Sequence, residues 1–172
     1  MPDLVWRPSL REALRDAAKE VLEKMFFIRV LGDPVAAAEL AWRAPASSSE
    51  GEIAARVTFH GEPSGALSLR LNYRAARAIA ADFLGEEEPE LSKQQVEEVV
   101  GELANMVCGA VLSNVESAAS FRLDQPAMLD AGAADNREPE TATHVLPIGS
   151  GALTVKMWME APACGPTEKS AS

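Results

Sequence analysis

The residues best suited to chemistry lie in the longest helical pattern of the chain. Glu98, Glu102, Asn105 and Gly109 follow one another at spacings of four, three and four residues. Residues three and four apart share one face of an α-helix, so these positions form one axial row. A carboxylate accepts charge-assisted hydrogen bonds from a cation, and a carboxamide offers both a donor and an acceptor. The row therefore projects a carboxylate and a carboxamide together into solvent.

Two members of this row run against the local preference for a helix. Inside a helix, asparagine is less favourable than alanine by roughly 0.5 kcal/mol or more, and glycine by about 1 kcal/mol. Asn105 and Gly109 are therefore local violations, which often mark functional positions. A Glu and an Asn three residues apart also occur by chance on a solvated helix face, so the pair alone does not decide between the two interpretations.

The helix that carries the row is predicted over Ser92 to Ser117. Ser92 and Gln95 have the spacing of a capping box, which starts a helix. The side opposite the row is apolar, as expected for a helix packed on a sheet. That stripe consists of Val96, Val100, Leu103, Val107 and Val111.

The N-terminal part of the chain begins with a second helical pattern, from about Ser9 to Met25. Phe26 to Val30 is dense in aromatic and β-branched residues, which predicts a strand. Asp33 to Glu50 is typical of a loop, with a short helical stretch around Val35 to Trp42.

Alternating apolar residues predict a hairpin in the next segment. Ile53 to Phe59 and Leu67 to Leu71 alternate with polar or small residues, and a Gly- and Pro-containing turn separates them. Asn72 is placed to cap a helix that Gly85 ends. An acidic linker from Gly85 to Glu90 follows.

The C-terminal part repeats this arrangement. Phe121 and Leu123 indicate a strand ending near Pro126, Leu129 to Thr143 is a polar excursion, and His144 to Ile148 pairs with Leu153 to Met159 in a last hairpin. The order helix, strand, hairpin thus occurs twice, which indicates two pseudo-symmetric halves. We expect an α+β fold with a largely antiparallel sheet and long helices packed on it. One domain, 1–161, would precede a flexible tail, 162–172.

The composition disfavours several classes of function. Acidic residues outnumber basic residues by 26 to 16, a net charge of -10, which is the wrong sign for a nucleic-acid partner. No apolar run is long enough for a membrane span and the N-terminus lacks a signal-peptide pattern, so we expect a cytoplasmic protein. Cys108 and Cys164 lack neighbouring ligands, so neither a disulfide framework nor a zinc site is indicated. No common hydrolase or metalloenzyme motif occurs.

The motif has a setting that resembles a known family. Glu102-Leu-Ala-Asn105-Met-Val-Cys-Gly109, after Val99-Val100-Gly101, closely resembles the E-x-x-N helix of the chemotaxis phosphatases represented by CheC and CheX. The segment from Ala18 to Phe27 is similar to that family's first helix and first strand. The resemblance covers Ser9 to about Glu160.

Details of the resemblance favour the CheX branch, which has one site. The CheC branch can carry a site on both symmetry-related helices, but here Glu23 stands where the second motif, Glu20-Val-Leu-Glu23, would need Asn. Two positions depart from the family pattern. Glu98 stands where Asp or Ser is usual, and the downstream proline, Pro126, falls slightly early.

The resemblance implies a phosphatase that acts on the aspartyl phosphate of a CheY-like response-regulator receiver. Asn105 would orient the attacking water, and Glu102 would pair with the receiver's active-site lysine. Glu98 would extend the acidic edge, and Gly109 would allow a close approach of the partner backbone. The chain itself would bind no metal or cofactor, because Mg²⁺ stays on the receiver.

Two other hypotheses are compatible with the sequence. The same fold could serve as a non-catalytic interaction module in two-component signalling. Edge strands could also pair between subunits, and the resemblance to CheX implies a homodimer, which is compatible with catalysis.

Overall fold

The computed structural model describes residues 3–31, 51–61, 64–115, 121–129, 142–149 and 151–160. The helices are α1 Asp3–Met25, α2 Tyr73–Leu84 and α3 Lys93–Val115, with a short 3₁₀ turn at Glu88–Glu90. The strands are β1 Glu52–His60, β2 Gly65–Asn72, β3 Arg122–Leu123, β4 Ala127–Leu129, β5 Ala142–Ile148 and β6 Gly151–Met159.

All strand pairs of the described sheet are antiparallel, in the order β3-β1-β2-β6-β5, and β4 also lies along β1. The two halves of the chain meet where β2 pairs with β6. Each half lends a segment to the other, since β3 and β4 pair with β1 while Val30 forms a bridge to Ile148. The predicted α+β fold with two pseudo-symmetric halves is confirmed.

The core lies between the helices and one face of the sheet. Alternate residues of the two central strands, Leu67 and Leu69 of β2 and Leu153 and Val155 of β6, are fully buried. They belong to one apolar cluster with residues of α1, α2 and α3. This packing decides which side of each helix faces solvent.

The predicted caps of α2 and α3 are present. The Asn72 side chain accepts a hydrogen bond from the Ala75 amide at 2.6 Å, and Gly85 ends α2 in a left-handed conformation with φ 69°. Ser92 and Gln95 bond reciprocally through side chain and backbone at 3.1 and 2.8 Å. This capping box starts α3 one residue after Ser92, as the sequence predicts.

The prediction for the first helix and strand was partly wrong. Helix α1 begins at Asp3 rather than Ser9 and continues through Pro8. Phe26 to Val30 is not a strand. Phe27 has φ 57°, and the amides of Phe26 and Ile28 bond back to carbonyls of the last turn of α1, so this segment closes the helix.

The prediction for the segment after α3 was also partly wrong. The predicted strand is short, β3, and a second strand, β4, follows Pro126. Leu129 therefore belongs to β4, and Thr143 to β5, rather than to a polar excursion. Strands β3 and β4 are short, and both pair with β1, which is distant from them in sequence. Local sequence patterns do not indicate pairing of this kind.

Several predictions fall outside the described residues. These are the loop with its helical stretch between residues 33 and 50, the centre of the acidic excursion at 130–141, and the tail after 161. Within the described part, no helix is both long and apolar enough to cross a membrane.

Candidate functional site

The structure brings the four predicted site residues together on the solvent side of α3. Glu98 and Glu102 are exposed, and Asn105 and Gly109 are half-buried. The apolar stripe on the other side of the helix is fully buried, each residue at 0% exposure: Val96, Val100, Leu103, Val107 and Val111. The periodicity of the sequence therefore predicts this face correctly.

The polar side chains of the row differ in the hydrogen bonds that they make. Glu98 accepts a hydrogen bond from the Gln94 side chain at 3.1 Å. Among the described residues, the side chains of Glu102 and Asn105 have no hydrogen-bond or ion-pair partner. Within the described part of the chain, nothing therefore blocks either side chain from an outside partner.

The surroundings of the row are acidic. Glu97 lies next to Glu98 and is 3.6 Å from Lys93, and the side-chain Nε2 of Gln95 donates to the carboxylate of Glu86 at 3.2 Å. The linker before α3 adds further exposed glutamates. This end of the helix presents negative charge, which suits a partner with a positively charged surface.

The connection between β3 and β4 borders the row. Gly101 is buried, and a Cβ at this position would lie 3.1 Å from the Pro126 Cβ and 3.7 Å from the Met128 Cε. Sequence reasoning identified Pro126 as a family feature but did not assign a role to Gly101. A buried glycine inside a strong helical pattern, one residue before Glu102, is the signal that could have found this contact.

The glycine at the other end of the row has a different environment. A Cβ at Gly109 would meet no atom within 4 Å. The described part of the chain therefore has no packing reason for glycine at this position. A glycine that costs helix stability without a packing need is compatible with a requirement from outside the molecule.

The counterpart face on α1 lacks the features of the α3 row. From Leu14 to Leu22, the buried residues of α1 correspond to buried residues of α3 at an offset of 82, so that Ala18 corresponds to Val100 and Leu22 to Ala104. Glu23 then stands at the place of Asn105. Glu20 is held by Lys24 at 2.7 Å, and this hydrogen bond raises the pKa of Lys24.

The same offset places Phe27 where α3 has Gly109. Phe27, which follows the end of α1, is 84% exposed, so an aromatic side chain stands just past the C-terminal end of that helix. Of the two helices, only α3 therefore presents the complete predicted row.

No described group acts as a nucleophile or metal ligand near the row. Cys108 is buried, and burial raises the pKa of its thiol to about 12, so it is not a thiolate at neutral pH. His60 pairs with Asp124 at 2.8 Å, as expected of a satisfied surface histidine. Burial, followed by the charges of Arg15 and Arg11, lowers the pKa of His144. The described residues contain no cluster that could hold a metal ion.

The fold is similar to solved structures of chemotaxis proteins. CheX from Vibrio vulnificus superposes with a TM-score of 0.66 and 19% identity, covering 90% of this chain and 98% of that protein. CheX from Desulfovibrio desulfuricans gives 0.64 and 19%, with coverages of 88% and 99%. CheX in a complex with CheY, BeF₃ and Mg²⁺ from Borrelia burgdorferi gives 0.63 and 17%, with coverages of 87% and 97%.

At these identities the structural similarity establishes the fold. No curated protein matches the sequence. The family model described as "Chemotaxis phosphatase CheX" matches residues 53–148, which is more than half of the chain and includes the whole row on α3. The chain belongs to the chemotaxis phosphatase CheX family.

Proposed function

We propose that this protein is a phosphatase that hydrolyses the aspartyl phosphate of a CheY-like response-regulator receiver. The observation that carries the proposal is the row on α3, where a carboxylate and a carboxamide without partners in the described chain stand on the exposed face of a firmly packed helix. The family to which the chain belongs is one of chemotaxis phosphatases. The Borrelia burgdorferi complex contains CheX together with CheY, which supports a receiver of that type as the partner.

The reaction needs little chemistry from this chain. An aspartyl phosphate is an acyl phosphate, and its hydrolysis requires an in-line water and stabilisation of charge on the phosphoryl oxygens. Mg²⁺ on the receiver supplies charge stabilisation, so this chain needs no metal of its own. The lack of a nucleophile near the row in the described residues is compatible with such a division of labour.

Asn105 is assigned the role of orienting the attacking water. Its carboxamide can accept a hydrogen bond from the attacking water through Oδ1 or donate to it through Nδ2. Holding the water in line converts a random encounter into an oriented one, which is a large contribution to rate. The half-buried position of Asn105 restricts its motion more than a fully exposed position would.

Glu102 is assigned to docking. Its exposed carboxylate would pair with the active-site lysine of the receiver in a charge-assisted contact that fixes the register of the complex. Glu98, one turn earlier, extends this acidic edge. Gly109, one turn beyond Asn105, leaves room for the receiver backbone.

Replacing Asn105 with alanine removes the water-orienting group but leaves the apolar stripe intact. We expect Asn105→Ala to lower the rate of phosphate release from a Mg²⁺-bound, phosphorylated receiver by about 100-fold, since misplacement of a reacting group costs rates of this order. The measurement is phosphate release under single-turnover conditions. Glu23→Ala, at the equivalent position of α1, is the matched control and should retain the wild-type rate.

Two outcomes would contradict this assignment. An Asn105→Ala variant that is folded and as active as wild type excludes the water-orienting role. Wild-type protein that binds phosphorylated receivers and accelerates hydrolysis in none of them excludes the phosphatase, and the non-catalytic interaction module becomes the better account.

Replacing Glu102 with glutamine removes the charge but keeps the size of the side chain. We expect Glu102→Gln to raise the KM for the phosphorylated receiver by up to about 5-fold, because an exposed charge pair is worth up to about 1 kcal/mol. The effect should shrink as salt is raised. Glu20→Gln on α1 is the control, and equal effects of the two variants would refute the docking role.

Replacing Gly109 with alanine should stabilise the fold but weaken the interaction with the receiver. Because a methyl group there meets nothing in the described chain, Gly109→Ala should raise the free energy of unfolding by about 1 kcal/mol. The same methyl group would obstruct the receiver backbone, so the KM should rise. Chemical denaturation and receiver titration measure the two quantities. A variant that is both more stable and fully active would show that the partner does not approach this position.

The homodimer is proposed to form through β5. The Pro147 carbonyl faces away from β6, because it accepts the Leu31 amide at 2.8 Å, so the backbone groups of Val145, two residues earlier, face the same outer side. We expect a dimer in sedimentation and a folded monomer for Val145→Pro, which lacks the outward donor. A wild-type monomer at working concentration would contradict the dimer.

A further inference from the structure

The environment of Asn105 includes a residue distant in sequence. Asn105 lies four residues after Gly101, so the two positions are neighbours on the surface of α3. Side chains of a helix lean toward its N-terminus, which places the Asn105 side chain over the turn that contains Gly101. Pro126 fills the space beside Gly101, at 3.1 Å from where a Cβ would stand.

We infer that Pro126, in the connection between β3 and β4, is a positioning residue for the Asn105 carboxamide. This inference rests on the proposed phosphatase function. The side chains of Pro126 and Met128 lie beside Gly101, one helical turn before Asn105, and together we call them the wall. On this inference, the wall limits the rotamers that the Asn105 carboxamide can adopt.

Hydrogen bonds and strand pairing attach the wall to the sheet beneath the helix. The Asp124 amide donates to the Thr58 carbonyl at 2.8 Å, and the Asp124 carboxylate bonds His60 at 2.8 Å. On the other side of Pro126, Met128 pairs with Ala55 in β1. Because α3 packs on the same strand, the helix and the wall share one support, and their spacing is fixed.

Glycine at position 101 lets the connection approach the helix more closely than alanine would, since a Cβ there would lie 3.1 Å from the Pro126 Cβ. Alanine at position 101 would favour the helix and could contact a connection placed slightly farther away. Glycine instead lets Pro126 come close to the helix surface beside Asn105, at the expense of helix stability. The arrangement places a rigid ring, rather than a methyl group of the helix itself, next to the carboxamide.

The test compares kcat and KM for phosphate release from a Mg²⁺-bound, phosphorylated receiver. Pro126→Gly removes the wall, and we expect kcat to fall about 10-fold while KM changes less than about 2-fold, because orientation affects the reacting step more than docking. Pro89→Gly, in the turn before α3, is the control for the general effect of exchanging proline for glycine. Thermal unfolding verifies that each variant is folded at the assay temperature.

A second substitution rebuilds the wall from the helix side. Gly101→Ala in the Pro126→Gly background places a methyl group in the space that the ring has left. We expect kcat to recover by at least about 3-fold relative to Pro126→Gly, which a purely stabilising effect on a folded enzyme would not produce. In the wild-type background, Gly101→Ala meets Pro126 and should lower kcat.

The outcomes separate the inference from the function on which it rests. Unchanged kcat in folded Pro126→Gly, or a loss of activity that follows only the folded fraction, overturns the positioning role and leaves the phosphatase intact. Failure of Gly101→Ala to restore any kcat also overturns it. A wild-type protein that releases no phosphate overturns the proposed function, and the positioning role with it.

Discussion

Burial of one apolar stripe on α3 is the interaction on which the rest of the site depends. Five residues of the stripe are fully buried, and burying a valine or leucine contributes about 1.5 to 3 kcal/mol each. A rotation of the helix by one residue would turn several of them out of the core. The stripe therefore fixes the rotation of the helix about its own axis. The opposite row, from Glu98 to Gly109, must then lie on the solvent side.

The pairing of β2 with β6 sets the second constraint, because it makes each half complete the sheet of the other. The second half contributes two strands to the edge of β1, whereas among the described residues the first half contributes the single bridge at Val30 to the edge of β5. The α3 row is bordered by the segment with Pro126, whereas α1 closes at Phe27. Among the described residues, the two helix faces of this pseudo-symmetric fold therefore have different surroundings.

Sequence patterns predicted most of the fold where the signals are local. The capping box at Ser92, the cap at Asn72 and the two hairpins were all read correctly, because each depends on residues close in the chain. The prediction of a strand at Phe27 was wrong. Aromatic residues favour strands, but this one adopts a left-handed conformation at the end of α1. The row was predicted from helical periodicity alone, but the contact of Gly101 with Pro126 was not, because only the folded sheet brings them together.

The proposed reaction explains why a helix surface can be sufficient for catalysis. In that proposal the receiver would hold the phosphoryl group and Mg²⁺, so this chain would need only to bring a carboxamide and a carboxylate to fixed positions. Rigid presentation then matters more than reactive groups. Asn105 and the glycines at 101 and 109 weaken the helix by roughly 2.5 kcal/mol in propensity, and the buried stripe more than offsets that cost. The stability of the core is what allows the exposed face to depart from good helix formers.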